Sequence, residues 1–131
     1  MIGLDTNVIV RYLTHDDPVQ TPIAVKAING LSAESPGFVS FIVLAELVWV
    51  LDGAYRFNKT EIEQVLDRLL RSKELVIERA ELVVQALRRF SAGRADFADC
   101  LIERTGHAAG CSHTVTFDRQ AAQVANMKLL G

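Results

Sequence analysis

The chain has 131 residues, half of them apolar and 23% charged, which fits one domain and excludes disordered and collagenous classes. With 14 basic against 16 acidic side chains, nucleic-acid binding by bulk positive charge is disfavoured. Setting four acids aside as cation ligands would turn the balance mildly basic, so net charge alone leaves that class open.

The opening Met1-Ile2-Gly3-Leu4-Asp5 meets an acid at once and carries no basic segment, so no secretory leader is expected. Ile2-Gly3-Leu4 predicts a short strand, and Asp5-Thr6-Asn7 a helix start running into Val8–Leu13. That helix stops near His15-Asp16-Asp17-Pro18. Thr21 is expected to cap a second helix, with Pro22 at its first position and an end near Gly30. Gly37-Phe38-Val39 predicts a second strand, and Ser40 caps a helix from Phe41 to about Ala54. The apolar stretch from Phe38 to Leu51 is too short to span a membrane, and Glu46 interrupts it.

Thr60-Glu61-Ile62-Glu63 matches a capping box, followed by one helical face of Ile62, Val65, Leu66, Leu69 and Leu70. Leu75-Val76-Ile77 predicts a third strand, and Leu82, Val83, Ala86 and Leu87 a helix ending near Phe90. A helix from about Phe97 to Ala108 should stop at Gly110. Thr114-Val115-Thr116-Phe117 predicts a fourth strand, Arg119–Val124 a short helix and Lys128-Leu129-Leu130 a last strand. Strands alternating with helices imply a three-layer α/β/α fold with a mainly parallel central sheet. Cys100 reads as inert core, and two cysteines are too few for a disulfide scaffold, which points to a reducing cytoplasm.

The chemistry falls to the acids. Asp5 ends the first strand and Asp118 the fourth, and parallel sheets build sites beyond the carboxyl ends of their strands. Each is equally readable as a helix N-cap. Glu46 has Ile42, Val43, Trp49 and Val50 three and four positions away, so it is expected in a core-like setting that needs compensation. Otherwise it lies at a solvent-facing edge of its helix. Asp96 and Asp99 stand three apart at a helix start and can share one face, where first-turn acids also favour the helix dipole. Acids without convergent His or Cys select a hard cation, Mg²⁺ or Mn²⁺. His15, His107 and His113 lack ligand spacing, and neither a phosphate-cradling glycine loop nor a serine nucleophile elbow is present.

Leu4-Asp5-Thr6-Asn7-Val8-Ile9, Ser40-Phe41-Ile42-Val43-Leu44-Ala45-Glu46-Leu47, Asp96-Phe97-Ala98-Asp99-Cys100-Leu101-Ile102 and Thr114-Val115-Thr116-Phe117-Asp118 occur in this order along nearly the whole chain. Together they resemble the PIN-domain family, and within it the VapC-type toxins of toxin–antitoxin pairs. The resemblance implies a single-strand-directed ribonuclease using Mg²⁺ or Mn²⁺. Asp5, Glu46, Asp99 and Asp118 would hold the metal, with Asn7 and Thr116 as polar support. It also implies a homodimer and a small antitoxin covering the site.

Asp96 competes with Asp99 for the third-acid position, and Asp99 is favoured. No acid follows Asp118 within Arg119-Gln120-Ala121-Ala122, where many relatives carry one, so a second metal site is short of a ligand. Arg11, Arg56, Lys59, Arg94 and Arg119 are candidate phosphate contacts. The apolar surplus of Thr21–Gly30 and Phe41–Leu51 is expected either to serve as partner surface or to lie sandwiched in the core. A receiver-like Mg²⁺-binding signalling domain is the alternative, although Leu75-Val76-Ile77 ends in Glu78-Arg79 rather than in an acceptor Asp. A non-catalytic PIN-like binding module is a further one.

Overall fold

A computed structural model describes all residues from Met1 to Gly131, and its backbone contacts gather into two compact units, Met1–Glu78 and Arg79–Gly131. The first unit contains β1 (Ile2–Gly3), α1 (Thr6–Thr14), α2 (Gln20–Asn29), β2 (Gly37–Val39), α3 (Phe41–Gly53), α4 (Lys59–Arg71) and β3 (Leu75–Ile77). Its strands form a parallel sheet in the order β1-β2-β3, with Gly37 opposite both Ile2 and Leu75. Helix α1 packs against α2 and α3, and α4 against β3. Ile9, Val10, Val39, Leu44, Leu47, Leu51 and Leu66 supply its fully buried side chains.

Gly37 allows one close approach. A Cβ there would lie 2.8 Å from Leu4 Cδ1 and 2.9 Å from Leu31 Cδ1, so a side chain at this position would press on the residue preceding Asp5.

The second unit holds α5 (Ala80–Ala92), α6 (Phe97–Ala108), β4 (Val115–Thr116), α7 (Arg119–Val124) and β5 (Lys128–Leu129). Helices α5 and α6 pack together through Val83, Ala86, Phe90, Phe97 and Cys100, with the Phe90 and Phe97 rings edge-to-face at 6.2 Å. Strands β4 and β5 pair in parallel and are covered by α7. On α6, Glu103 is only 6% exposed, and Arg104 donates two hydrogen bonds to it at 2.7 and 2.9 Å. Arg89 of α5 reaches the same carboxylate at 3.4 Å, an ion pair that ties the two helices.

The α/β class and the parallel pairing agree with the sequence reading, as do the spans of β2, β3 and α7. The first unit holds a three-stranded parallel sheet and the second a two-stranded one. Two helix starts differ from expectation. Thr21 lies inside α2, which begins at Gln20, because Asp17 Oδ1 accepts from the backbone N–H of Val19 and of Gln20. Helix α4 begins at Lys59, with its cap two residues before Thr60. Asn58 accepts from Glu61 N while Glu61 Oε1 accepts from Asn58 N, so the capping box is built on Asn58.

Candidate active site

In the first unit the chain leaves β1 at Leu4, and Asp5 adopts extended backbone to cap α1, its Oδ1 accepting from Thr6 N at 2.9 Å. Thr6 turns inward and is 4% exposed, and its hydroxyl donates to Oε1 of Glu46. Helix α3, which carries Glu46, is held at its start by two acceptors. Ser40 Oγ accepts from Val43 N at 3.2 Å, and Glu78 Oε1 accepts from Phe41 N at 2.8 Å. The latter bond ties the end of β3 to the first turn of α3, which sets the position from which Glu46 projects.

Glu46 is not in a core-like setting. It is exposed, and so are Ile42 and Trp49 on the same helix stripe, each 77% exposed. The apolar neighbours therefore form a surface stripe with the carboxylate in its middle, and the compensation expected from burial is not required. Leu44, Leu47 and Leu51 make the buried face instead.

In the second unit three acids share a neighbourhood. Asp96 caps α6, with Oδ1 accepting from Asp99 N at 2.7 Å. Asp99 is half-buried in the first turn, and burial, then the charge of Asp96 and then that of Asp118 push its carboxyl above the usual carboxylate range. Asp118 closes β4 and caps α7, its Oδ1 accepting from Gln120 N at 2.8 Å and Ala121 N at 3.2 Å. Thr116 Oγ1 accepts from Asp118 N at 3.0 Å, fixing the turn that presents the acid.

Asp5, Asp96 and Asp118 are thus all helix caps, and each caps through Oδ1. Capping and metal binding are compatible here, because no protein donor occupies the three Oδ2 atoms. The donors are hard oxygens throughout, the chemistry that Mg²⁺ or Mn²⁺ takes. No group of three or more His, Cys, Asp or Glu side chains is drawn together closely enough to hold a metal ion.

Asn7 is exposed; the hydroxyl that meets Glu46 belongs to Thr6, a residue not among the sequence candidates. Arg11 is committed within its own unit, donating to Gln20 Oε1 at 2.8 Å and to the Tyr55 hydroxyl at 3.1 Å, and lying 3.4 Å from Asp16 Oδ1. Cys100 is buried, and desolvation with the neighbouring acids pushes its thiol up to about 11, so it is no nucleophile. A cavity of about 260 Å³ in the first unit, lined by Ile9, Tyr12, Leu13, Ile28 and Arg68 among others, includes none of the candidate acids.

The PIN-domain family model matches residues 2–127, and the chain belongs to that family. Among curated relatives it is similar to a VapC ribonuclease of Aquifex aeolicus (strain VF5), with 25% identity over 118 residues covering 89% of this chain and 87% of that protein. Among solved structures, the crystal structure of FitAcB from Neisseria gonorrhoeae is 22% identical and covers 100% of this chain and 97% of that one, with a TM-score of 0.38. No helix is long and apolar enough to cross a membrane.

Proposed function

We propose that this chain is a metal-dependent endoribonuclease that hydrolyses RNA phosphodiester bonds, and that it acts as the toxin of a toxin–antitoxin pair. Its similarity to a VapC ribonuclease supports the reaction class. The observation that supports the metal dependence is Asp99, half-buried in the first turn of α6 and crowded by Asp96 and Asp118. Such crowding is costly to a protein at neutral pH unless a cation offsets it.

Asp5, Glu46, Asp99 and Asp118 are the residues that would hold Mg²⁺ or Mn²⁺, with Thr6 and Thr116 orienting Glu46 and Asp118. A divalent ion there supplies Lewis-acid activation of the phosphate and of the attacking water. The chain itself contributes fixed carboxylates: two of the four, Asp5 and Asp118, are helix caps, and so have little freedom to lose when a ligand arrives. Asp96 serves as the cap that holds the first turn of α6, and with it Asp99, in place. An RNA substrate and unpaired cysteines suit a reducing cytoplasm.

The partner surfaces follow from the exposed apolar side chains of the first unit. Ile42 and Trp49 flank Glu46 on α3, and Val19 and Ile23 are exposed at 69% and 65% around the start of α2. These support a homodimer and an antitoxin segment that covers the acids. Cleavage of single-stranded RNA by the purified protein, abolished by Glu46→Gln, tests the reading. No cleavage with any divalent metal would overturn it.

A further inference from the structure

The most exposed large apolar side chain of the molecule is Phe117, at 81%, and it stands immediately before Asp118. Val115, two residues earlier on β4, is 48% exposed, so the outward side of this strand end is apolar while Thr116 serves Asp118. The backbone carrying Phe117 is pinned on both sides. Thr116 Oγ1 holds Asp118 N at 3.0 Å, and Asp118 Oδ1 holds Gln120 N at 2.8 Å and Ala121 N at 3.2 Å. The next side chain after Asp118 is Arg119, an exposed cation with no ion-pair partner. This differs from Arg11, which is locked among Asp16, Gln20 and Tyr55. An aromatic face, a fixed acid and an unpaired cation therefore follow one another on a short, rigid turn.

We propose that Phe117 is a stacking platform for one unpaired base of a single-stranded RNA, with Arg119 taking an adjacent phosphate, so that the strand is registered against Asp118. This inference rests on the ribonuclease reading above. Base stacking on an aromatic ring is tolerant of sequence but needs the base free of a duplex, and a ring whose backbone is already fixed gives up little entropy in binding. The cation suits the phosphate, while the acid next to it disfavours the phosphate at that position unless a divalent ion is present. Phe117 thereby sets a preference for unpaired strands, and Arg119 makes the binding salt-sensitive.

The test uses the full chain with Mg²⁺ and a single-stranded RNA oligonucleotide carrying 2-aminopurine at successive positions, and the same sequence as a duplex. Phe117→Ala should raise KM for the single strand about tenfold or more, with kcat changed less than threefold, and should abolish the fluorescence quenching that wild type produces at one position. Phe117→Trp should restore both. Discrimination against the duplex should narrow in Phe117→Ala, and Arg119→Gln should flatten the salt dependence of KM. Wild-type cleavage with an unchanged KM in Phe117→Ala overturns the platform while leaving the ribonuclease reading intact. The same holds if Phe117→Ala alters only self-association or inhibition by an antitoxin, which would make the ring a protein contact. Wild-type protein that neither binds nor cleaves the single strand overturns both readings together.

Discussion

The hydroxyl of Thr6 on α1 donates a hydrogen bond to Oε1 of Glu46 on α3, joining residues forty positions apart in sequence. Glu46 is exposed, so water can solvate its carboxylate without help; the bond orients the group rather than stabilising a buried charge. Thr6→Val keeps the buried shape and removes the donor. It should lower kcat for RNA cleavage about tenfold while changing stability by less than about 1 kcal/mol. Thr6→Ser should recover most of the rate, and thermal melts beside the kinetics separate orientation from folding.

Asp96 and Asp99 should part company under substitution. Asp96→Asn keeps a good N-cap and should change cleavage little, whereas Asp96→Ala should cost about 1 kcal/mol of stability. Asp99→Asn should slow cleavage by about a hundredfold or more. It should also raise the melting temperature of the metal-free protein at pH 7. Because the folded-state value of Asp99 lies above its unfolded value, the folded form holds that proton more tightly. The penalty is absent below the ordinary carboxylate range and complete once pH passes the raised value. The gain from Asn should therefore fade as pH falls toward 4. A gain that persists at acid pH would point to packing instead.

Removing divalent ions should stop the reaction. EDTA should abolish cleavage, Mg²⁺ or Mn²⁺ should restore it, and Ca²⁺, with its looser and longer coordination, should restore it poorly. Mg²⁺ should also raise the melting temperature by mass action, and Glu46→Gln should shrink that rise. Full activity in EDTA would contradict the metal dependence.

Glu103, one turn after Asp99 on α6, is committed to Arg104 and Arg89 and serves as a structural comparison. Arg104, through its hydrogen bonds, and the charges of Arg104 and Arg89 hold its carboxyl below the usual range. Its contribution to stability is present above the unfolded carboxylate value and is lost as pH falls through the lowered folded value. Glu103→Gln should therefore destabilise the protein at pH 7 by about 1–3 kcal/mol, because Arg104 is left with a neutral partner in a mostly buried place. The difference from wild type should narrow in strong acid. Urea melts at a series of pH values measure both, and cleavage per folded molecule should stay unchanged.

Trp49→Glu places a charge in the exposed stripe beside Glu46. If that stripe is the self-association surface, light scattering should show a dimer for wild type and a monomer for the variant, with the melting temperature little changed. Identical masses for the two would remove α3 as the interface.

Local rules were enough to read much of this chain. Ser40 before a long apolar run dictates the start of α3, and Asp118 before Arg119–Val124 dictates α7, since each cap satisfies backbone N–H groups within three residues. The strand–helix alternation and the four acid-bearing segments are equally local, and they carry the family resemblance. What only the tertiary structure decided depends on partners far along the chain. Neighbours of Glu46 on its own helix are apolar, yet burial is set by what packs on a face, and Leu44, Leu47 and Leu51 take the buried side. The pairing of Thr6 with Glu46 requires α1 and α3 to be in contact, which no spacing reveals. Competition between Asn58 and Thr60 for the start of α4 was settled by a reciprocal pair of hydrogen bonds. The pairing of the parallel strands within each unit depends on hydrogen bonds between distant segments, which outweigh any pattern within one.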